Sequence, residues 1–292
     1  MFNIEKKQVR RPEWLKIKLK TNDTFQDTRK LIEGKKLNTV CVEARCPNIY
    51  ECWSRKTATI MILGETCTRA CGFCSVKTGK PKWFDNDEPH RTAEAVKSMG
   101  LKHVVITSVD RDDLKFDYGS KVWAKTIIET RNLNPNCTIE VLTPDFKGYL
   151  PALETVFKSR PDIFSHNTET IERISKKVRA QSSWKRTKMV LAESVNFGLV
   201  TKTGLMVGLG ETDEEVLEVM KEMVDLGVEI FNIGQYLQPT KLHLPVSRYV
   251  HPEIFDMYNE KGLEMGFRVV ESGPLVRSSY HADEQVKRYS QT

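Results

Sequence analysis

Residues 57–76 read TATIMILGETCTRACGFCSV. The first eight are mostly apolar or β-branched and end on a glycine, so 57–64 predicts a buried strand. That strand runs into three cysteines, Cys67, Cys71 and Cys74, in the spacing Cys-x3-Cys-x2-Cys. Downstream the same kind of strand recurs, each time followed by a helical pattern. HVVITSV (103–109), CTIEVLT (137–143), DIFSH (162–166), LVTKTGLMVG (199–208) and EIFNIGQY (229–236) predict strands. Helices are predicted over 89–99, 118–134 and 149–158, then over a stretch running to about 197, and over 251–265. Between the last two, Thr212 opens another helix, with Glu215 three residues on as the second half of a capping box. RVVES (268–272) predicts one more short strand.

Six successive strand–helix units mean a parallel sheet with right-handed crossovers. The alternation alone leaves a doubly wound sheet and an incomplete barrel both open. In either, chemistry collects at the C-terminal ends of the strands. Residues 57–273 carry the alternation, and 1–56 and 274–292 flank it as N- and C-terminal extensions.

A chain of 292 residues buries about 74% of its surface on folding, enough for a large core without covalent staples. Hydrophobic residues at 39% and charged residues at 29% exclude global disorder. No run of about 18 uncharged apolar residues exists, so no membrane partner is expected. The N-terminus has no apolar segment of the kind that directs export, and a cytoplasmic location is expected. The charge balance is 45 basic against 39 acidic residues, with a pI near 8.8, short of the value that flags a nucleic-acid domain. Residues 1–20 hold Lys6, Lys7, Arg10, Arg11, Lys16, Lys18 and Lys20 against two acids. Such an arm is either solvated or attracts an acidic partner.

Seven cysteines, an odd number without an export signal, argue against disulfides. Cys137 lies in an apolar stretch and is expected in the core. The other six form two triplets, Cys41, Cys46, Cys52 and Cys67, Cys71, Cys74. Thiolates bind soft metals. After Cys74 the next His or Cys is His90, so the second triplet lacks a local fourth ligand. It is either a zinc knob completed from afar or a site left open, as in a four-iron cluster with one free iron. The first triplet, Cys-x4-Cys-x5-Cys, is wide for zinc. It reads as unrelated thiols, an incomplete zinc site or a second iron–sulfur cluster.

The Cys-x3-Cys-x2-Cys spacing, with Phe73 before the last cysteine and a strand before the first, resembles the signature of the radical S-adenosylmethionine (SAM) enzymes. That resemblance implies a partial (β/α)6 TIM-like barrel. It also implies a [4Fe-4S] cluster whose open iron chelates SAM and cleaves it to a 5′-deoxyadenosyl radical. The resemblance narrows to the lipoyl synthase family through RRPEWLK (10–16), CVEARCPNIYECW (41–53), VVITSVDRDDL (104–114), EVLTPDF (140–146), TKTGLMVGLGET (201–212), GQYLQPTKLHLPVSRYV (234–250) and GPLVRSSYHAD (273–283). It implies a second, auxiliary [4Fe-4S] cluster on Cys41, Cys46 and Cys52, with Ser279 of the RSSY motif as fourth ligand.

The reaction implied by that resemblance is insertion of two sulfur atoms, at C6 and C8 of an octanoyl group on a lysine, with the auxiliary cluster as sulfur source. The implied partners are an octanoylated lipoyl carrier domain or glycine-cleavage carrier protein, a flavodoxin- or ferredoxin-type electron donor and an iron–sulfur cluster carrier.

Cofactor contacts are expected from Phe73, Ser108, Glu140, Asn167, Lys202, Gly208 and Arg179. Each of the polar ones could equally be a capping or structural group. Glu211 reads as a helix N-terminal charge. The stretch AQSSWKRTKMV (180–190) departs from the family pattern, which has a Tyr followed by a Ser-Leu pair there. An RNA-modifying radical enzyme would need a binding module for which no length is left, so no nucleic-acid partner is expected. A non-catalytic iron–sulfur scaffold would not need six units with polar strand ends.

Overall fold

The computed structural model describes residues 11–17, 21–35, 37–55, 57–82 and 85–291. Of the basic arm, Lys6, Lys7, Arg10, Lys18 and Lys20 lie outside the described residues. Eight strands form one sheet in sequence order: β1 (Asn38–Thr39), β2 (Thr59–Ile62), β3 (His103–Ser108), β4 (Thr138–Leu142), β5 (Ile163–Ser165), β6 (Thr201–Val207), β7 (Ile230–Gln235) and β8 (Val269–Gly273). β2 through β8 are parallel, while β1 pairs antiparallel with β2, Thr39 opposite Ile60. The strands are buried on both faces, as a parallel sheet covered by crossover helices requires.

The helices after β2 to β4 are α4 (Glu88–Met99), α5 (Ser120–Leu133) and α6 (Leu150–Lys158). They pack onto the outer sheet face through Val96, Trp123, Ile127 and Phe157, against Ile60, Ile106, Val141 and Phe164. α7 (Glu172–Val178) and α8 (Trp184–Asn196) follow β5, and α9 (Asp213–Asp225) and α10 (Pro252–Met265) follow β6 and β7. A second core joins Met220, Met223, Phe255 and Tyr258 to Val207, Phe231 and Ile233. The capping box is present: Thr212 accepts from the Glu215 N–H and Glu215 from the Thr212 N–H.

The sheet curls but does not close. Lys202 on β6 reaches Glu140 on β4, two strands away, at 2.8 Å. The C-terminal helix α11 (Ala282–Gln291) touches both β3 and β8, so it lies across the gap between the sheet's ends. Its Val286 and Tyr289 pack on Ile163, Ile230 and Val269 near the N-terminal ends of β5, β7 and β8. The architecture is therefore the open barrel expected, with a strand and several helices added by the extensions.

Those additions are α1 (Asp23–Gly34), α2 (Val40–Glu43) and α3 (Ile49–Ser54), which share a small core of Phe25, Ile32, Cys41 and Trp53. The helical stretch predicted to run to about 197 is broken in two, at Arg179–Ser183. No helix among the described residues is long and apolar enough to cross a membrane.

Candidate active site

β2 ends in a bend that aims the second triplet. Leu63 and Gly64 both take positive φ, 67° and 87°, a costly conformation for leucine. The buried Glu88 carboxylate holds it by accepting from the Leu63 N–H at 2.6 Å and the Gly64 N–H at 3.4 Å. The loop beyond this bend is pinned on several sides. Arg69, between the first two cysteines, is buried and lies within 3.1 Å of Asp110, Asp112 and Asp145 at the ends of β3 and β4. Asp145 also takes Arg186 at 2.7 Å. Burial alone would raise the Asp145 pKa, but its bonds and charges from Arg69, His166 and Arg186 hold it well below the usual carboxylate range.

The segment after β7 completes the clamp. Leu244 N–H donates to the Gly72 carbonyl and the His243 ring shares a hydrogen bond with the Cys74 carbonyl, both at 2.9 Å. A Cβ on Gly72 would lie 2.9 Å from the Leu244 side chain, so any larger residue would push Leu244 aside.

The first triplet is presented differently. Cys41 sits in α2, Cys46 in the turn after it and Cys52 in α3. The buried Asn48 donates to the Leu275 carbonyl at 2.7 Å, tying the triplet to the C-terminal tail. Ser279 in that tail accepts from the Thr59 hydroxyl at 2.6 Å. Ser278 beside it accepts from Asn167 at 2.6 Å, and its carbonyl from Asn232 at 3.1 Å.

Both triplets, Ser279 and the barrel interior line one cavity of about 510 Å³. Phe73, Ser108, Asn167 and Arg179 line it too. Glu140 and Lys202 do not. Both belong to strand interiors rather than strand ends, Lys202 near the start of β6. They neutralise each other as a buried ion pair, with the Glu140 carboxylate held down against its burial by Lys202 and His103. Gly208 is also absent from the lining. It forms a turn whose N–H donates to Glu211, and a Cβ there would meet Gln235 at 2.2 Å. Glu211 closes that turn by accepting from Gly208 and Leu209, a more local task than the helix-end charge expected of it. Cys137 is buried in the core, as expected.

All seven thiols are free. Burial pushes Cys41, Cys67, Cys71 and Cys74 up to about 11 and Cys52 to about 12, and it raises Cys46 as well. Neighbouring thiols add to the rise at Cys41 and Cys52, while Arg277 opposes it at Cys46 and Arg179 at Cys71. Crowded, desolvated thiols of this kind become thiolates when a cation displaces their protons. Among the described residues no three His, Cys, Asp or Glu side chains converge on a single-ion site. A four-iron cluster takes soft thiolate ligands, and each triplet offers three thiols. Around the second triplet, Asn167 Oδ1, His166 Nε2 and Arg179 Nε are buried and have no hydrogen-bond partner among the described residues. Such orphaned groups on a cavity wall fit a polar ligand with amino-acid and ribose groups.

Arg69, the three aspartates, His166 and Glu169 escaped the sequence reading, while Arg277, beside Ser279 in the RSSY motif, is expected from that position to pair with acidic or anionic groups. Arg277 is enclosed in the cavity wall with its guanidinium on the Val276 carbonyl at 2.6 Å, and burial lowers its pKa.

A curled parallel sheet with a thiol loop after its first long strand defines a class, and the Radical SAM superfamily model matches residues 61–223, more than half of the chain. The protein is a radical SAM enzyme, a class that works with a [4Fe-4S] cluster and SAM. Methylornithine synthase shares the fold at a TM-score of 0.55 over 92% of both chains, with 12% identity. SuiB of Streptococcus suis bound to SAM does so at 0.59 over 78% of this chain and 55% of that one, also at 12% identity. Among curated proteins, the lipoyl synthase of Shouchella clausii is 54% identical over 97% of this chain and 93% of its own length. That of Rubrobacter xylanophilus is 52% identical over 98% and 89%, and the mitochondrial lipoyl synthase of Nematostella vectensis 50% over 94% and 95%. The chain belongs to the lipoyl synthase family.

Proposed function

We propose that this enzyme inserts two sulfur atoms, at C6 and C8, into an octanoyl group carried on a lysine of a partner protein. The observation that carries the reading is that Cys41, Cys46, Cys52 and Ser279 line the same cavity as Cys67, Cys71 and Cys74. Two bound [4Fe-4S] clusters and SAM would supply the electron, the hydrogen-abstracting radical and the sulfur. The chain's own residues do the rest. Cys67, Cys71 and Cys74 give three ligands and leave one corner for SAM. Ser108, Asn167 and Arg179, with Phe73 beside them, hold its polar groups. Cys41, Cys46, Cys52 and Ser279 hold the auxiliary cluster. Met61, Val105, Leu142, Leu205 and Met206 add an apolar wall, which accepts an alkyl chain and excludes water from a reactive carbon.

The carrier is a lipoyl carrier domain or a glycine-cleavage carrier protein, and the reaction runs in the cytoplasm. The electron comes from a flavodoxin- or ferredoxin-type donor. An iron–sulfur cluster carrier rebuilds the consumed site. The test is anaerobic reconstitution with SAM, a reductant and an octanoyl-lysine peptide, the auxiliary site loaded with heavy sulfide. Deoxyadenosine and a peptide bearing two labelled sulfurs are expected. A dithiolated peptide without label overturns the sulfur source, and deoxyadenosine with an unchanged peptide overturns the reaction.

A further inference from the structure

The first barrel strand touches ligands from both ends of the chain through one residue. The Thr59 backbone N–H lies beside the Cys41 thiol and opposes the rise that burial gives its pKa. Its hydroxyl donates to Ser279 Oγ at 2.6 Å. Thr59 is itself buried and lines the cavity. The tail backbone around Ser279 is fixed by other groups: Asn48 on the Leu275 carbonyl, Asn167 on Ser278 Oγ and Asn232 on the Ser278 carbonyl. Among the described residues, the bond from Thr59 is the one that the Ser279 side chain makes.

We infer that Thr59 is a positioning residue for the auxiliary site, whose hydroxyl holds the Ser279 oxygen on its iron. This rests on the reading of Ser279 as a ligand. Serine oxygen is the weak corner of a site otherwise made of thiolates. An oxygen bound to iron carries negative charge, and a donor hydroxyl at hydrogen-bond distance stabilises that charge. Groups that orient a metal ligand in this way typically contribute about 10- to 100-fold to metal retention. The placement has a second effect. When Ser279 leaves the metal, Thr59 still holds its oxygen beside the strand, so the ligand stays in reach.

The test uses the full chain with Cys67, Cys71 and Cys74 replaced by Ala, so that iron reports only the first site. After anaerobic reconstitution, the rate of iron loss to a chelator is measured for Thr59→Val, Thr59→Ser, Ser279→Ala and the Thr59→Val/Ser279→Ala pair. Thr59→Val keeps the backbone N–H and the β-branched shape but lacks the donor. Thr59→Ala removes the same donor with less crowding and is read in the same way if the valine variant does not fold. The expected results are loss about tenfold faster in Thr59→Val and within about twofold of the parent in Thr59→Ser. Loss from Ser279→Ala should be at least as fast as from Thr59→Val, and the pair should be no faster than Ser279→Ala alone. Parent-like loss from Thr59→Val beside fast loss from Ser279→Ala overturns the role of Thr59 and leaves the ligand reading standing. A Thr59→Val effect that persists in full on Ser279→Ala means packing, and overturns it as well. Parent-like loss from Ser279→Ala overturns the ligand reading itself.

Discussion

The two cysteine triplets share a cavity but are held by different physics. The loop of Cys67, Cys71 and Cys74 hangs from one strand end, and its anchor is a buried guanidinium among three carboxylates. Cys41 and Cys52 sit on short helices outside the barrel, and Cys46 lies between those helices. Asn48 ties them to a tail more than two hundred residues away by a neutral hydrogen bond, Thr59 ties the first barrel strand to that tail by another, and the ion pairs that Arg55 adds to Asp283 and Glu284 are part-exposed and weak. Removing one member of a buried charge cluster leaves an uncompensated charge, whereas removing one neutral bond costs far less. On the proposed reading, the loop of Cys67, Cys71 and Cys74 is the permanent fixture and the other site is one that can be opened and remade.

The strongest challenge to this contrast is to remove the thiols one set at a time. Alanine at Cys67, Cys71 or Cys74 is expected to bring deoxyadenosine formation to background. Alanine at Cys41, Cys46 or Cys52 is expected to leave deoxyadenosine formation and to abolish sulfur transfer, read from the same reactions by mass spectrometry. If both sets behave alike, the two sites do not divide the work.

The anchors come next. Arg69→Met strands Asp110, leaves Asp145 with Arg186 alone, and is expected to cost about 3–5 kcal/mol of stability, measured by urea unfolding of the cluster-free chain. Asn48→Ala, which leaves the Leu275 carbonyl without its donor, is expected to cost about 1–2 kcal/mol. Equal losses would erase the distinction.

The smallest effect is one of pH. Burial and the nearby Arg179 lower the His166 pKa to about 4, against 6.5 for an ordinary histidine. Between those values the unfolded chain binds a proton that the folded one refuses, so stability is fully present above pH 6.5 and falls as pH drops towards 4. The expected loss is up to about 3 kcal/mol. Unfolding curves at pH 6.5 and 4.5 should differ less for His166→Gln than for the parent. An unchanged difference would mean that His166 is not held neutral.

The barrel was legible because its strands are buried on both faces and read as short apolar runs, and because Thr212 and Glu215 announce their helix. The break at Arg179–Ser183 was not, since a helical period says nothing about where a chain must turn to cover a cavity. β1 is two residues long and exists only by pairing with β2. Within the site, the cysteines and Ser279 were legible by spacing and motif, because thiols have few other uses in such a pattern. Glu140 and Lys202 were misplaced because a period of two separates the inside of a barrel from the outside, but not its top from its floor. Arg69 stands in plain view between two cysteines, and Asp110, Asp112 and Asp145 come just after two of the predicted strands. A charged residue in a polar loop reads as solvated until the fold brings its partners together.

The tail that supplies Ser279 also sets the order in which the molecule can be made. On the ribosome Cys41 emerges more than two hundred codons before Ser279. At about 5–20 residues per second the nascent chain waits ten seconds or more with three reactive thiols and no closing residue. If Ser279 closes the proposed centre, its assembly belongs to the finished polypeptide.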